Sequence, residues 1–156
     1  MSTRVTKVYV AGPMTGYPQF NIPAFERQTR RLRAAGFEVV SPVERDSPAV
    51  QEAARASKDG ALVNDQIAGE TWGQILARDV MIVADEVQGI VALPRWEKSK
   101  GARLEIFVAL LCKKPVFVDA HLYESADETR PDGPEVSLQP LNPVDIIFTI
   151  ARSFIS

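Results

Sequence analysis

The chain of 156 residues has one cysteine, one histidine and no long apolar run. Cys112 alone cannot form an internal disulfide or a cysteine zinc site, and His121 alone excludes a cluster of histidine ligands. Apolar runs such as 80–84 and 108–112 are far shorter than the roughly 20 residues that a membrane-spanning helix needs. The N-terminal residues lack an apolar signal core. We therefore expect a reducing, cytoplasmic location, no zinc chemistry and no membrane partner.

An excess of positive charge is also missing. The 18 Lys and Arg residues against 20 Asp and Glu residues give a net charge of -2, without the basic excess of a protein that binds duplex nucleic acid. The 46% hydrophobic and 24% charged content is average for a globular domain, and the length suits one domain. A small polar molecule is therefore a better candidate partner than a nucleic-acid polymer.

Strand-like and helix-like segments alternate along the chain. The β-branched runs 5–11 and 37–40 enclose a helix that Asn21 can cap and Gly36 ends, which is the pattern of a βαβ unit. Further elements are predicted as strands at 89–93 and 116–118, and as helices at 72–83, at 102–112 and after Asn142. This alternation predicts an α/β fold with a doubly wound parallel sheet of four to five strands in a single domain.

Three parts of the chain need separate interpretation. Residues 44–70 are polar, Ala-rich and weakly periodic, with a short helix possible at 49–56, and we interpret them as a surface insertion or a lid. Residues 120–140 are predicted to be a Pro- and acid-containing loop. The last helix has one apolar face, formed by Val144, Ile147, Phe148 and Ala151.

Ligands of doubly wound folds bind beyond the carboxyl ends of the strands. Three segments are expected to meet there: 12–17, the start of the helix that carries Asp79, and 94–105. The loop from Gly12 through Thr15 to Gly16 matches neither a Walker loop nor the G-x-G-x-x-G fingerprint, so ATP and NAD sites are poorly supported. A loop that admits a sugar or a phosphate stays open.

Two carboxylates are candidates for chemistry. Asp79 interrupts the apolar face of its helix, where an unpartnered carboxylate is costly, so it is either a site residue or an aspartate paired with Arg78 or Arg103. Glu105 is predicted in the first turn of a helix, whose positive end, with Lys100 nearby, favours the ionised form. It can be a nucleophile or electrostatic stabiliser, or an ordinary glutamate that stabilises the helix.

The turn at 99–102, Ser-Lys-Gly-Ala, precedes the same helix. Its free N–H groups and the Ser99 hydroxyl can hold a phosphate, although an ordinary helix cap has the same sequence. The most basic short stretch of the chain surrounds it, and comprises Arg95, Lys98, Lys100 and Arg103.

Three aromatic residues are further candidates, and two of them have a second reading as core residues. Tyr9 lies in the middle of the first predicted strand, as a core residue or with its phenol reaching a carboxylate at the strand's end. Trp72 and Trp96 can stack on a base, and Trp72 on an apolar stripe can equally be core.

These residues together resemble the nucleoside 2-deoxyribosyltransferase superfamily, and most closely its DUF4406 branch. The resemblance lies in 8–16 (VYVAGPMTG), in Phe20-Asn21 with Phe25, in 72–79, and most specifically in 93–105 (LPRWEKSKGARLE). It covers most of residues 5–119. It implies that residues 1–156 form one such domain, with a flavodoxin-like (Rossmann-like) sheet and a variable insertion at about 44–70.

The resemblance implies cleavage of the N-glycosidic bond of a nucleoside or nucleotide, without a metal or redox cofactor. Glu105 matches the nucleophile that attacks the anomeric carbon, and Tyr9 resembles the tyrosine that orients it. Asp79 corresponds to the aspartate that contacts the substrate and helps the base to leave. The chemistry agrees, because an oxocarbenium-like centre needs a carboxylate on one face and a proton for the leaving nitrogen.

Ser99 is an informative departure from the transferases. They carry an aspartate six residues before the nucleophile, whereas the 2'-deoxynucleoside 5'-monophosphate N-hydrolases and related CMP glycosidases carry a serine. A neutral hydroxyl beside Lys100 and Arg103 accepts a 5'-phosphate that an aspartate would repel. The predicted substrate- and phosphate-binding residues are Ser99, Gly101, Gly12, Thr15, Gly16, Arg95, Lys100, Arg103 and Trp96. The closest relatives usually have glycine in place of Arg95, which can add a phosphate contact.

The sequence thus predicts an N-glycosidase that hydrolyses a (deoxy)nucleoside 5'-monophosphate through Glu105. The alternatives are a transferase that exchanges bases and a non-catalytic nucleotide-binding or sensor module. The resemblance also implies a homodimer or larger homo-oligomer in which a neighbour's loop completes the site, and residues 119–123 are the candidate segment.

Overall fold

A five-stranded sheet runs through the centre of the protein, whose computed structural model describes residues 4–124 and 136–155. The seven strands of the described residues are β1 (Lys7–Ala11), β2 (Glu38–Val40), β3 (Gln66–Ile67), β4 (Glu70–Thr71), β5 (Gly89–Ala92), β6 (Val116–Asp119) and β7 (Leu138–Pro140). The main sheet has the order β2-β1-β5-β6-β7, and β3 and β4 form a separate small hairpin. The helices are α1 (Ile22–Ala34), α2 (Pro42–Arg45), α3 (Pro48–Ala56), α4 (Trp72–Asp85), α5 (Lys100–Leu111), α6 (Ala120–Glu124) and α7 (Pro143–Arg152).

The strand directions confirm the predicted doubly wound α/β fold. β2, β1, β5 and β6 are parallel, and the chain moves from β1 to one side of the sheet and then returns to the other side at β5. The edge strand β7 is antiparallel to β6. Its residues were predicted as part of the loop 120–140, and the presence of this strand corrects that prediction. A three-residue strand has too little alternation for its pattern to stand out in the sequence.

The side chains of β1 alternate between the two faces of the sheet, and both faces are packed in the core. Tyr9 faces the layer of α4, α5 and α7, whereas Val8 and Val10 face the layer of α1, α2 and α3. The first layer buries Ile106 and the second buries Phe25, each almost completely. Both faces of the parallel strands are therefore covered, and the strands and helices form a single domain.

The helix termini explain where the functional segments begin. Asn21 does not cap α1 with its side chain as predicted; its backbone is left-handed (φ 60°) and its Nδ2 donates to the carbonyl of Pro13 at 2.9 Å. Ser99 caps α5 by accepting from the N–H of Ala102 at 3.2 Å, so α5 begins at Lys100. This start is two residues earlier than predicted and places Glu105 in the second turn.

The last helix packs with a different face from the predicted apolar one. Ile146 and Ile150 are buried, whereas Val144, Ile147 and Phe148 are each more than half exposed. α5 packs against both α4 and α7 and also carries exposed apolar side chains. We call the following set the helical apolar surface: Met81 of α4, Leu104, Phe107 and Leu111 of α5, and Val144, Ile147 and Phe148 of α7.

The carboxyl end of β6 is tied to α1. The Asp119 side chain is fully buried and accepts from Arg31 at 2.9 Å and from Gln28 at 3.2 Å. Asp119 is therefore held inside its own chain, which corrects its inclusion in the segment expected to reach a neighbour's site. In the described part of the chain, no helix is long and apolar enough to span a membrane.

Candidate functional site

A cavity of about 650 Å³ opens at the carboxyl edge of the sheet, beside the ends of β1 and β5. The chain changes sides between these two strands, and ligands of open α/β sheets bind at such a switch point. The loop after β1, the first half of α4 and the start of α5 all line the cavity. This arrangement confirms that the three predicted segments meet.

Glu105 lies in the wall of the cavity and is only 6% exposed. Burial, followed by the negative charge of Asp79, raises the pKa of its carboxyl well above the usual value, and Arg78 opposes this shift. The prediction that the start of the helix favours the ionised form is therefore wrong for the free protein. The physical reason is that Glu105 lies in the second turn, where loss of hydration outweighs the helix terminus.

Asp79 lines the same cavity from α4 and is 7% exposed. Its Oδ1 accepts two hydrogen bonds from Arg78, from Nε at 3.0 Å and from a terminal nitrogen at 2.7 Å. Burial raises the pKa of Asp79 to about 6, against the lowering effect of Arg78. The partner predicted for this carboxylate is thus Arg78, and Asp79 is a site residue as well as a paired one.

Tyr9 brings a phenol from the middle of β1 to these two carboxyls. Its side chain is fully buried, and burial, followed by the charges of Glu105 and Asp79, raises its pKa well above the usual value. Its hydroxyl and Oε2 of Glu105 are buried without a hydrogen bond of normal geometry to any described residue. The phenol nevertheless interacts with both carboxyls. Tyr9 is therefore a neutral proton donor and acceptor beside two acids.

Asp46 is a site residue that the sequence did not reveal. It follows α2, lines the cavity, and is buried with one carboxylate oxygen 2.9 Å from a terminal nitrogen of Arg78. Burial raises the pKa of Asp46, and Arg78 opposes the shift. The only sequence signal was its position soon after β2, which ends at the same edge of the sheet.

The start of α5 forms the basic end of the cavity. Lys98, Ser99, Lys100 and Gly101 all line it. A helix N-terminus with two lysines attracts an anionic group, and the Ser99 hydroxyl adds no negative charge. Gly12 and Thr15 line the cavity from the loop after β1, as predicted.

The segment 44–70 forms a wall of the cavity and is more than a surface insertion. Its lining residues include Val50 of α3, Leu62, Asn64 and Ile67 of the hairpin region. Trp72, at the start of α4, also lines the cavity and is 37% exposed, so it is not a core residue. These residues add apolar surface to the cavity, alongside the polar Asn64 and Asp65.

Four predicted binding residues do not line the cavity. Trp96 is 7% exposed and packs in the core with Tyr9, which corrects the prediction that it stacks on a base. The guanidinium of Arg95 lies over the ring of Tyr17, 5.3 Å from its centroid. The other two are Gly16, whose N–H donates to the carbonyl of Gly60, and Arg103, which donates to the carbonyl of Glu97.

The backbone conformation at Arg95 shows why a glycine suits this position. Its backbone is left-handed, with φ at 67°, which glycine adopts without steric cost and other residues adopt with strain. This conformation starts the short 3₁₀ turn Trp96–Lys98, which directs Trp96 into the core.

The family model described as Domain of unknown function (DUF4406) matches residues 6–118. The chain belongs to the DUF4406 family. The match runs from β1 to β6 and contains every residue that lines the cavity. It confirms the predicted membership of the DUF4406 family. A search of curated proteins finds no match.

In this DUF4406 protein the cavity combines two carboxyls in different surroundings. Asp79 is paired with Arg78, whereas Glu105 has no cation in direct contact among the described residues. Different surroundings of this kind let one carboxyl hold a proton while the other is ionised, as acid–base chemistry requires. Within residues 4–124 and 136–155, no group of three or more His, Cys, Asp and Glu side chains is arranged to hold a metal ion.

Proposed function

We propose that this protein is an N-glycosidase that hydrolyses the base–sugar bond of a (deoxy)nucleoside 5'-monophosphate, with Glu105 as the nucleophile. The observation that carries the proposal is the buried Glu105 carboxyl, which shares the cavity with Asp79 and interacts with Tyr9. A retaining glycosidase needs two carboxyl groups of this kind. The resemblance to the nucleoside 2-deoxyribosyltransferase superfamily assigns the same three residues to the reaction.

The first step forms a glycosyl-enzyme ester. Glu105 is neutral before the substrate binds, and positive charge developing on the sugar favours its ionised form. Its proton passes to the Tyr9 hydroxyl while Tyr9 gives its own proton to Asp79. The Glu105 carboxylate then attacks C1', the bond from C1' to the base nitrogen breaks, and Asp79 donates the proton to that nitrogen.

The second step releases the sugar phosphate. A water molecule attacks C1' of the ester, Asp79 accepts a proton from this water, and the bond from C1' to the Glu105 oxygen breaks. The return of the proton from Asp79 through Tyr9 to Glu105 restores the starting state. Tyr9 suits this relay because its raised pKa keeps the phenol neutral between the two acids.

The 5'-phosphate is assigned to the basic end of the cavity. The N-terminus of α5, Lys98 and Lys100 attract an anion, and the Ser99 hydroxyl does not repel it. The base is assigned to the apolar surface that Leu62, Ile67 and Trp72 supply. In this assignment the bond to be cleaved lies beside Glu105 and Asp79.

The test is chromatographic detection of free base from a panel of deoxy- and ribonucleoside 5'-monophosphates and the matching nucleosides. Wild type is compared with Glu105→Gln and with the control Glu97→Gln, a neighbouring glutamate outside the cavity. We expect base release from monophosphates, lost in Glu105→Gln and kept in Glu97→Gln. Base exchange without net release would instead identify a transferase. Nucleotide binding without release or exchange would identify a binding module and overturn the proposal.

We also propose that the protein forms a homodimer through the helical apolar surface. A fully exposed side chain of this size contributes roughly 150–200 Å². The exposed fractions of the residues in this surface therefore give a total on the order of 700 Å². That area approaches the roughly 800 Å² that each partner buries in a standard interface. α4 and α5 carry Asp79 and Glu105 on their inner faces, so this pairing would leave the cavity accessible.

A further inference from the structure

The end of α2 is fastened to α4 by two ion pairs of different kinds. Arg45 and Glu86 form an exposed pair, with 2.6 Å between their charged atoms. Asp46 and Arg78 form a pair inside the cavity wall, at 2.9 Å. An exposed pair contributes little because water screens it, whereas a buried charge acts strongly on its neighbours. The inner pair is therefore the one that bears on the chemistry.

The Arg78 guanidinium is divided between two carboxylates. One terminal nitrogen lies 2.9 Å from Oδ1 of Asp46 and 2.7 Å from Oδ1 of Asp79, and Nε also donates to Asp79. The carbonyl of Pro42 lies 3.4 Å from the same nitrogen. Asp46 and Pro42 thus contact the same terminal nitrogen of Arg78 that Asp79 contacts.

We propose that Asp46 is a positioning residue for Asp79: it holds Arg78 in place and takes a share of its positive charge. The catalytic meaning of this inference rests on the proposed function, in which Asp79 must both give and accept a proton. If Arg78 served Asp79 alone, it would hold that carboxyl in the ionised state more firmly. Asp46 lets Arg78 orient Asp79 without removing its capacity to carry a proton.

The charged groups around Asp79 act in opposite directions. Burial and the charge of Asp46 raise the pKa of Asp79, and Arg78 and the Tyr9 hydroxyl lower it, with a result of about 6. Glu105 faces Asp79 from α5 and its own pKa rises with the charge on Asp79. Three other charged residues line the cavity, namely Asp65, Lys98 and Lys100, and the charge of Glu70 acts on Asp46. Removal of Asp46 or of Arg78 should therefore move the titration of Asp79 in opposite directions.

The experiment follows the carboxyl carbons of Asp79 and Glu105 by ¹³C NMR during a pH titration of the full chain. Asp46→Asn keeps an oxygen beside the Arg78 guanidinium but removes the charge, so we expect Asp79 to titrate about 0.5–1 pH unit lower. Arg78→Gln should raise it by about 1 pH unit or more. The control Arg45→Gln breaks only the exposed pair and should leave Asp79 unchanged. In Asp46→Glu, which keeps the charge, Asp79 should titrate as it does in wild type.

Base release measured across pH on the same variants tests the catalytic part. In the proposed reaction Asp79 starts ionised and accepts a proton in each step, so its titration sets the low-pH limb, which should move down in Asp46→Asn and up in Arg78→Gln. Shifts of the same sign in both variants, or no shift in Asp46→Asn, would overturn the inference. Because NMR needs no turnover, opposite carboxyl shifts without base release would overturn the proposed function alone.

Wild type supplies a measurement that does not depend on the folding of any variant. Since Asp46 and Asp79 contact the same nitrogen of Arg78, their carboxyl signals should show coupled, two-step titration curves. Two independent single-step curves would mean that Arg78 is not shared, and would overturn the inference.

Discussion

Gly101 stands one helical turn before Glu105, and a methyl group on its Cα would lie 3.9 Å from Oε1 of that carboxyl. The same methyl would lie 3.8 Å from Cδ1 of Leu76, so both are ordinary contacts and the fold has room for it. Gly101 and Glu105 both line the cavity. The absence of a side chain at residue 101 therefore keeps the approach to Glu105 open.

Gly101→Ala should separate stability from activity. Alanine in place of a helical glycine stabilises by about 0.5–1 kcal/mol, whereas a methyl beside the Glu105 carboxyl should lower kcat/KM about tenfold or more by displacing the sugar. Thermal unfolding and base release measure the two effects. Gly73→Ala in α4 is the matched control: Gly73 also lines the cavity, but its Cβ would meet only Oγ1 of Thr71, at 3.9 Å, and not Glu105, so this variant should keep its activity. Equal activity in both variants would contradict a sugar position beside Gly101.

Glu105→Gln should stabilise the protein increasingly as the pH rises. Above the usual pKa of a glutamate the unfolded chain releases its proton, while native Glu105 retains its own because burial raises the native pKa. The native state then binds more protons, so the free energy of unfolding of wild type falls until the pH passes the native pKa. Glutamine does not titrate and escapes this loss.

Urea unfolding at about pH 4 and about pH 8 measures this effect. The advantage of Glu105→Gln over wild type should be larger at the higher pH. Asp79 remains in both proteins. Its pKa is raised to about 6, so its titration lowers the free energy of unfolding of both proteins in the same way. A constant difference between the two proteins would show that Glu105 titrates normally.

Ser99→Asp should discriminate between nucleotides and nucleosides. Aspartate caps a helix as well as serine does, so α5 should keep its start and its stability. Its negative charge at the basic end of the cavity should raise KM for monophosphates about tenfold or more and leave nucleosides little affected. Ser99→Asn, which caps without charge, is the control. Equal effects on both substrate classes would place the phosphate elsewhere.

Phe148→Glu should convert the proposed dimer into a monomer. Phe148 is 57% exposed at the helical apolar surface, and a buried unpaired carboxylate there costs several kcal/mol of association free energy. Light scattering after size-exclusion chromatography gives the mass. Val63→Glu is the control, because Val63 is 73% exposed but lies in the hairpin region, away from these helices. A wild-type monomer at high concentration would overturn the proposed dimer.

The fold was predictable because its signals are local. The β-branched runs marked the parallel strands, and Gly36, with φ at 97°, ends the first helical unit as expected. Spacing also indicated that Asp79 and Glu105 share one cavity, since both lie in helices that begin beside it. The antiparallel β7 was missed because three residues carry no periodic pattern.

The missed parts of the site depend on tertiary geometry. Asp46 gains its role from Arg78, 32 positions further along the chain, and no local pattern joins them. The inward turn of Trp96 follows from the left-handed backbone of Arg95, which residue types alone do not indicate. The state of Glu105 was wrongly predicted because burial, which sequence does not measure, outweighs the helix terminus.

The two edge strands of the sheet limit how copies of this chain can join. At one edge β2 is three residues long and its Glu38 pairs with Lys7, and at the other β7 ends in Pro140, which has no N–H to offer. Short, charged or proline-ended edges resist the pairing of strands between molecules. The described edge strands therefore disfavour strand-linked aggregates, so copies of this chain that pair through helix side chains would form closed pairs even when the chain is concentrated.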